Sequence, residues 1–483
     1  MKRIIYIVLI STFTLCVSCS DLLETNPKDS IPGDKVFSTL NGNETLLQGA
    51  YEMMQSSSFY GCDMICLPEI LADNCALSPG GYIYKLDYRN ATGSGCNIWV
   101  EAYQVIAVTN DIINSIDKVS IDESQTGERD RIKGEALFIR GMMYFDLLRA
   151  YAREPGYLVS NFDLGVPLVT GSFTSMGPDA YPSRNDIYGV WTQVESDLNE
   201  AFSLLQNNDA NNFPQRPTSY AAKALLARAY LYESKWQDAV TAATWVIDQN
   251  NPVLYDGNYK DLFAKGVETI YQLSFSSQEA LGASSLHAMY AVNDGWTGNE
   301  GSGYISNGIG SGDGELIVAN NLLNQFEPGD KRLTLIREAY FNGDPTQKVW
   351  WTGKFNSWQG TFGQDNIPLI RISEMYLIRA EASLKLPTPD YTTARSDIDA
   401  LREARGLSAS TAGNGTLAAA VQKERRLELC FEGHRFFDLK RLGLDITKEP
   451  PSVTLPYTDF RVVAGIPQVE MDANKNLVNN PGY

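Results

Sequence analysis

The run from Ser219 to Pro252 constrains the fold more than any other part of the chain. Leu226, Ala227 and Tyr230 fall at helical steps, Ala239 and Ala243 fall on a second helix, and Pro252 closes the unit. Small residues at those places let two helices approach closely, and the spacing resembles a tetratricopeptide repeat whose final proline comes one position late. A helix pair of this kind cannot bury its faces alone, so it must stack on similar neighbours into a superhelix. Other periodic segments supply the neighbours. Trp99 to Lys118 sets Trp99, Tyr103, Ile106 and Asn110 at three- and four-residue steps, Arg131 to Tyr151 forms a second helix, and Asn185 to Leu205 a third, with Asn185 or Asp186 as its cap. Further on, Pro368 to Lys385 and Tyr391 to Arg405 form a pair separated by Pro387 and Pro389, and Leu417 to Leu442 continues as helix.

Two stretches break this pattern. Asn258 to Gly363 is rich in Gly, Asn, Asp and Trp, with a Gly-dense run from Gly295 to Gly314, and Ser56 to Asn97 has the same character. Helix propensity is low in both, and loops carried on a rigid scaffold are where binding residues tend to sit. With 43% hydrophobic and 20% charged residues the chain can bury a core. Its formal net charge of −18 argues against nucleic acid and other polyanions as partners.

The first residues predict export. Lys2 and Arg3 precede an apolar run, Ile4 to Val17, that is too short to span a membrane, and Ser18-Cys19 follows. This end resembles a bacterial lipobox, although Cys16 stands where Leu is usual. The expected division is a signal peptide over 1–18, a tether over 19–35 lipidated at Cys19, and one domain over 36–483 with its loop-rich lobe around 56–97 and 258–363. No later segment has an apolar run of spanning length. Cys62, Cys66, Cys75 and Cys96 cluster in one stretch, and Cys430 stands apart. Outside the cytoplasm at least one disulfide is the first reading for the cluster, buried free thiols the second and a metal site the third.

Catalytic signals are sparse. The only histidines are His287 and His434, too few for a histidine-based zinc site, and no G-x-S-x-G elbow occurs. Gly308 to Gly314 neither completes G-x-G-x-x-G nor carries the lysine of a P-loop. Asp and Glu total 58, but nothing singles out two of them as a glycosidase pair. No catalytic residue, metal or cofactor is therefore expected. Two strings alternate charge with large apolar residues: R-I-S-E-M-Y-L-I-R-A-E-A from Arg371 to Ala382, and E-R-R-L-E-L-C-F-E-G-H-R-F-F-D-L-K-R from Glu424 to Arg441. Buried charges must be paired, so Arg371, Glu374, Arg379, Glu381, Arg425, Glu428, Glu432, Arg435 and Asp438 are expected to pair with one another inside the superhelix.

The same strings carry a resemblance. They look like the two long helical motifs of the SusD/RagB family. Leu401 to Leu407 is similar to the link between them, and Ile466-Pro467-Gln468 with Asn479 to Tyr483 is similar to the family's ending. Ala136 to Tyr151 and Gly165 to Val169 also match, so the resemblance covers nearly the whole mature chain. It implies an all-α fold, a right-handed tetratricopeptide-like superhelix with a loop-rich ligand-binding lobe. It further implies an outer-membrane lipoprotein without enzymatic activity that captures oligosaccharide as a lid over a SusC-like TonB-dependent transporter. A peptide-binding RagB-like lid is the alternative, and a surface glycosidase a more distant one.

A sugar ring has apolar faces and a hydroxyl rim, so its site needs an aromatic platform beside polar groups. By this resemblance Asp73 and Asn74 fall in a ligand-contacting loop, Trp99 opens a helix near it, and Trp296 lies in the variable segment that supplies another stacking aromatic. Tyr82, Tyr84, Trp350, Trp351 and Trp358 are weaker candidates, while Trp191, Trp236 and Trp245 are expected in the scaffold core.

Overall fold

The computed structural model describes residues 36–172, 177, 180–206, 213–290, 314–340, 346–448 and 453–483. The expected signal peptide, Cys19, the tether and Trp296 lie outside the described residues.

Helices follow one another in space as they do in sequence. Helix α1 (Leu40–Met54) is capped by Thr39, whose hydroxyl accepts from Gly42 N at 3.0 Å. A short α2 (Asp63–Leu71) leads through the first loop-rich stretch to α3 (Trp99–Ser115) and α4 (Thr126–Tyr151). Then come α5 (Ile187–Leu205), α6 (Ser219–Tyr232) and α7 (Trp236–Asp248). Asp186 rather than Asn185 caps α5, accepting from Gly189 N at 2.8 Å. After the long insert, α8 (Ile372–Leu384), α9 (Tyr391–Ala404), α10 (Asn414–Leu429), α11 (Arg435–Arg441) and α12 (Gln468–Ala473) complete the chain. Helix α1 packs on α3, α3 on α4, and so on to α7, which packs on α8 across the insert; α8 then meets α9 and α10. This is the stacking that the repeat pattern requires, and the fold is all-α and tetratricopeptide-like.

Helix α4 sits at the centre, buried on every side from Gly134 to Tyr151. A helix buried all round must find partners for its charges. Arg140 pairs with Asp197 of α5 at 2.6 Å, Arg149 with Asp146, and Glu135 with Arg131 and Arg216, both at 2.7 Å.

Among the described residues, four short antiparallel pairs trim this scaffold. Strand β1 (Cys75–Leu77) pairs with β3 (Leu316–Val318), joining the two loop-rich stretches through Cys75↔Val318 and Leu77↔Leu316. Strand β2 (Thr269–Leu273) pairs with β6 (Ile367–Arg371), which fastens both ends of the insert at the scaffold. Strands β4 (Ile336–Tyr340) and β5 (Lys348–Thr352) form a hairpin, as do β7 (Ile446–Lys448) and β8 (Val453–Leu455).

Three expectations need correction. Pro368 to Arg371 is strand, because its backbone groups are taken by β2, and the helix begins only at Ile372. Leu417 to Leu442 is two helices, broken where Phe431 and Gly433 adopt φ of 65° and 81°. A side chain at Gly433 would come within 2.7 Å of Met64 O, so the close approach of α2 requires glycine there. Third, among the described residues no disulfide forms: Cys62, Cys66, Cys75, Cys96 and Cys430 are all buried free thiols. Cys62 and Cys66 lie one helical turn apart with their sulfurs at 3.8 Å, and burial pushes the Cys66 thiol well up, so it stays protonated. Among the described residues no helix is long and apolar enough to cross a membrane, and no group of His, Cys, Asp and Glu could hold a metal ion.

Candidate functional site

The charged strings converge where α8, α10 and α11 meet the insert. Glu428 accepts from Arg371 and Arg405, both at 2.8 Å, and lies 3.7 Å from Arg332. Glu268, just before β2, bridges Arg371 and Arg405 at 3.3 and 2.8 Å, while Glu432 takes Arg371 and Lys354 at 2.8 and 2.7 Å. Burial alone would raise the Glu428 carboxyl; Arg405 and Arg371 overcome it and hold the group well below the usual range. Glu374 pairs with Arg228 at 2.6 Å, Glu381 with Arg441 at 2.5 Å, Arg379 with Asp397 at 2.6 Å, and Arg425 with Asp438 at 2.9 Å. The expected pairing holds for Arg371 with Glu428 and Glu432 and for Arg425 with Asp438. Arg379 and Arg435 instead find their partners, Asp397 and Asp73, outside the two strings, as Glu268, Arg228, Arg332, Lys354 and Arg405 also lie outside them. These residues brace helices and leave nothing facing a ligand.

The same bracing reaches the first loop-rich stretch. Glu69 Oε1 accepts from the backbone N–H of Gly433 and of His434, each at 3.1 Å, and so occupies the N-terminal end of α11. Its other oxygen accepts from Asn74 Nδ2 at 2.7 Å. Asn74 Oδ1 in turn accepts from Arg426 at 2.8 Å, and Asp73 pairs with Arg435 at 2.6 Å and Arg426 at 3.2 Å. Burial would raise the Asp73 carboxyl, but Arg435 holds it below its ordinary value. Asp73 and Asn74 therefore lock the loop to α10 and α11. Their polar atoms are already committed to those partners, which does not suit the expected role of sugar-rim groups.

Trp99 is buried at the start of α3, edge-on to Tyr151 at 5.1 Å and tilted on Tyr103 at 5.0 Å. It faces a groove of about 440 Å³ between α3, residues 167–169, Tyr181-Pro182 and the C-terminal α12 region. Trp99 thus packs on Tyr103 and Tyr151, whereas Asp73 and Asn74 face Arg426 and Arg435.

Exposed aromatic surface sits elsewhere in the lobe, where β1, β3 and β5 meet. Pro79-Gly80-Gly81 turns the chain, and Gly81 N donates to Ser78 O at 3.0 Å. The buried Glu315 carboxylate then accepts from Tyr82 N and Ile83 N at 2.7 and 3.0 Å. This pins the backbone of the tip while Tyr82 stands 73% exposed beside the exposed Ile83 and Leu86. In the same lobe a cavity of about 200 Å³ opens between Ala76-Leu77, Ile317 to Asn320 and Lys348 to Trp350. Trp350 is half-buried, with the Lys348 ammonium 4.9 Å over its ring and Glu338 holding that ammonium at 2.6 Å. Tyr84 and Trp351 are buried, and Trp358 is half-buried with its indole N–H on Lys354 O at 2.8 Å. Trp191 is buried, and Trp236 and Trp245 pack half-buried on the scaffold. Glu315 and the Ile83–Leu86 edge were missed from sequence; the Pro-Gly-Gly turn before an aromatic was the available signal.

A stack of helix pairs carrying an irregular lobe with a rigid aromatic tip defines a binding protein built on a tetratricopeptide-like scaffold. Comparison with known proteins agrees. The SusD family model matches residues 296–483, and a second family model, described as starch-binding and associating with the outer membrane, matches residues 81–231. A SusD-like protein of Formosa agariphila is 26% identical, with 91% of this chain and 90% of that protein covered. The crystal structure of a SusD superfamily protein from Bacteroides thetaiotaomicron has a TM-score of 0.75 at 29% identity, covering 92% of this chain and 100% of that one. A laminarin binding SusD-like protein shares the fold with a TM-score of 0.71 at 22% identity, over 92% and 99% of the two chains. The two matches, over residues 81–231 and 296–483, together with these relatives support a SusD/RagB family protein.

Proposed function

We propose that this protein is a cell-surface lipoprotein, anchored through Cys19, that captures an oligosaccharide and delivers it to a SusC-like TonB-dependent outer-membrane transporter, with no chemistry of its own on the ligand. The observation that carries the reading is the tip of the lobe: Tyr82 is largely exposed while its backbone is held by Glu315. An aromatic that stays in water on a pinned backbone offers a sugar a face at little ordering cost. One such platform covering about 60 Å² contributes about 1.5 kcal/mol at roughly 25 cal/mol per Å². Two or three with a few hydrogen bonds reach about millimolar to micromolar affinity, which suits cargo that must be released. Trp296 remains a proposed platform; its segment leads directly into Gly314 and β3, the strand that lines the cavity.

Calorimetric titration against neutral polysaccharides, laminarin and starch first, tests the reading. Saturable binding with no new reducing ends is the expected outcome. Binding only to peptides, or release of reducing ends, overturns the sugar-capture reading.

A further inference from the structure

The groove that Trp99 faces offers an apolar chain segment aromatic, proline and leucine walls, with Gln104, Glu470 and Asn474 also lining it. Trp99, Tyr103, Pro167, Pro182 and Leu477 form it, and Val100, Val469 and Val478 stand 40, 66 and 56% exposed around it. Its floor continues as a strip along α3. Residues 167–170 are laid beside that helix by Tyr103 Oη donating to Pro167 O at 2.7 Å, Asn110 Nδ2 to Val169 O at 2.7 Å and Asn114 Nδ2 to Thr170 O at 3.0 Å. On α3 itself Val100, Gln104, Ala107 and Asn114 are exposed and Asp111 half-exposed, a three- and four-residue rhythm that marks one face. The far end of this face, Ser115, donates to Asn43 Oδ1 at 2.9 Å, and Asn43 Nδ2 donates to Phe37 O at 3.5 Å. The chain therefore enters the domain at the foot of the strip that leads up to the groove.

We propose that the segment preceding Val36 lies along this strip and seats Ile31 at the near end of the groove, against Tyr103 and Gln104. The lengths agree. Asn114 to Gln104 spans about 15 Å of helix at about 1.5 Å per residue, and Val36 back to Ile31 reaches about 17 Å when extended at about 3.3 Å per residue. Ile31-Pro32 is the one apolar pair of residues 24–35, which are otherwise polar or glycine apart from Pro27. A tether of five residues gives the pair an effective concentration of about millimolar or more, so a weak contact suffices where a separate partner would need a tight one. The consequence for the anchor rests on lipidation at Cys19: the lipid would leave from the α12 side of the molecule, fixing how the domain stands on the membrane. The docking itself does not depend on that reading.

The native thiols of the domain are buried, so an introduced pair can be read alone. In the mature chain with Cys19→Ser, Ile31→Cys with Gln104→Cys should join within one chain through a short thiol crosslinker. The rate should be at least about ten-fold above that of Leu23→Cys with Gln104→Cys. Separately, Ile31→Asp should raise the labelling rate of Gln104→Cys about ten-fold by freeing the groove. Crosslinks between chains, equal rates for the two pairs, or unchanged labelling in Ile31→Asp would each overturn the proposal. Membrane fractionation of the wild-type chain reports on the anchor independently.

Discussion

The helical scaffold and the loop-rich lobe treat polar groups in opposite ways. The scaffold buries charge and pairs nearly all of it: Glu428, Glu374, Glu381 and Asp438 each face arginines, and Asp438 is held at about 2 by Arg425 and Arg441 against the rise that burial alone would cause. The lobe keeps its aromatic tip in solvent and spends a buried carboxylate, Glu315, on two backbone N–H groups. Long recognisable motifs thus belong to the part that only braces the fold, and the part suited to ligand has almost no motif. In the scaffold each residue is fixed by several partners; at the tip only the backbone is fixed, which leaves the side chains free to be read by a ligand.

The sharpest way to break this contrast is to remove one hub of the scaffold. Glu428→Ala takes one of the buried carboxylates from Arg371 and Arg405, leaving Glu268 and Glu432 to face them, and should cost about 3 kcal/mol of stability. Urea melts check the loss, and titration of the folded fraction should show ligand affinity unchanged. A variant that melts like the parent would mean that the network contributes little, and that the motif owes its presence to something else.

A second test compares the two regions by acid. The scaffold carboxylates are paired, whereas His287 in the lobe is a buried imidazole bonded to Ser357 and edge-on to Phe362, with burial pulling it down to about 4. The unfolded chain takes up that proton near about 6.5, and the folded chain resists it until about 4. Acidification through this window therefore favours unfolding, by up to about 3 kcal/mol, and stability is regained as the pH rises again. His287→Gln should remove this contribution. The difference in unfolding free energy between parent and variant, followed from pH 7 down to 4, should grow in the variant's favour if the assignment is right and stay flat if it is wrong.

Legibility in the sequence followed the same divide. Ser219 to Pro252 showed its helix pair because packing two helices closely demands small residues at fixed steps, and α6 and α7 appear there. The pairing of Arg371, Glu428 and Glu432 was legible from helical spacing. Glu268 was not, since its partners lie more than a hundred residues away and no local period marks it. Asp73 and Asn74 looked like ligand groups because acidic and amide residues in a loop suit a sugar rim; nothing local showed that Arg426 and Arg435 arrive from the far end of the chain to claim them. The disulfide expectation failed for a similar reason. Four thiols close in sequence suggest a bond in an oxidising compartment, but each is packed into the apolar interior, and even Cys62 and Cys66, one helical turn apart with sulfurs at 3.8 Å, remain unbonded.

The smallest expected effect is the one that divides the lobe itself. Tyr82→Ala removes an exposed ring whose backbone Glu315 continues to hold, so melting should move by no more than about 0.5 kcal/mol. If the tip is the sugar platform, affinity for the cognate glycan should fall about five-fold, the share of about 1 kcal/mol that one partly covered ring supplies. Asp73→Ala should do the reverse. It frees Arg435 and Arg426 beneath the loop and should cost about 1–3 kcal/mol of stability, with affinity per folded molecule nearly unchanged. The two variants, measured by calorimetric titration and thermal melts side by side, tell the tip from its footing. Should Asp73→Ala lose affinity while Tyr82→Ala keeps it, the ligand sits on the loop that Arg435 anchors, and Tyr82 is surface only.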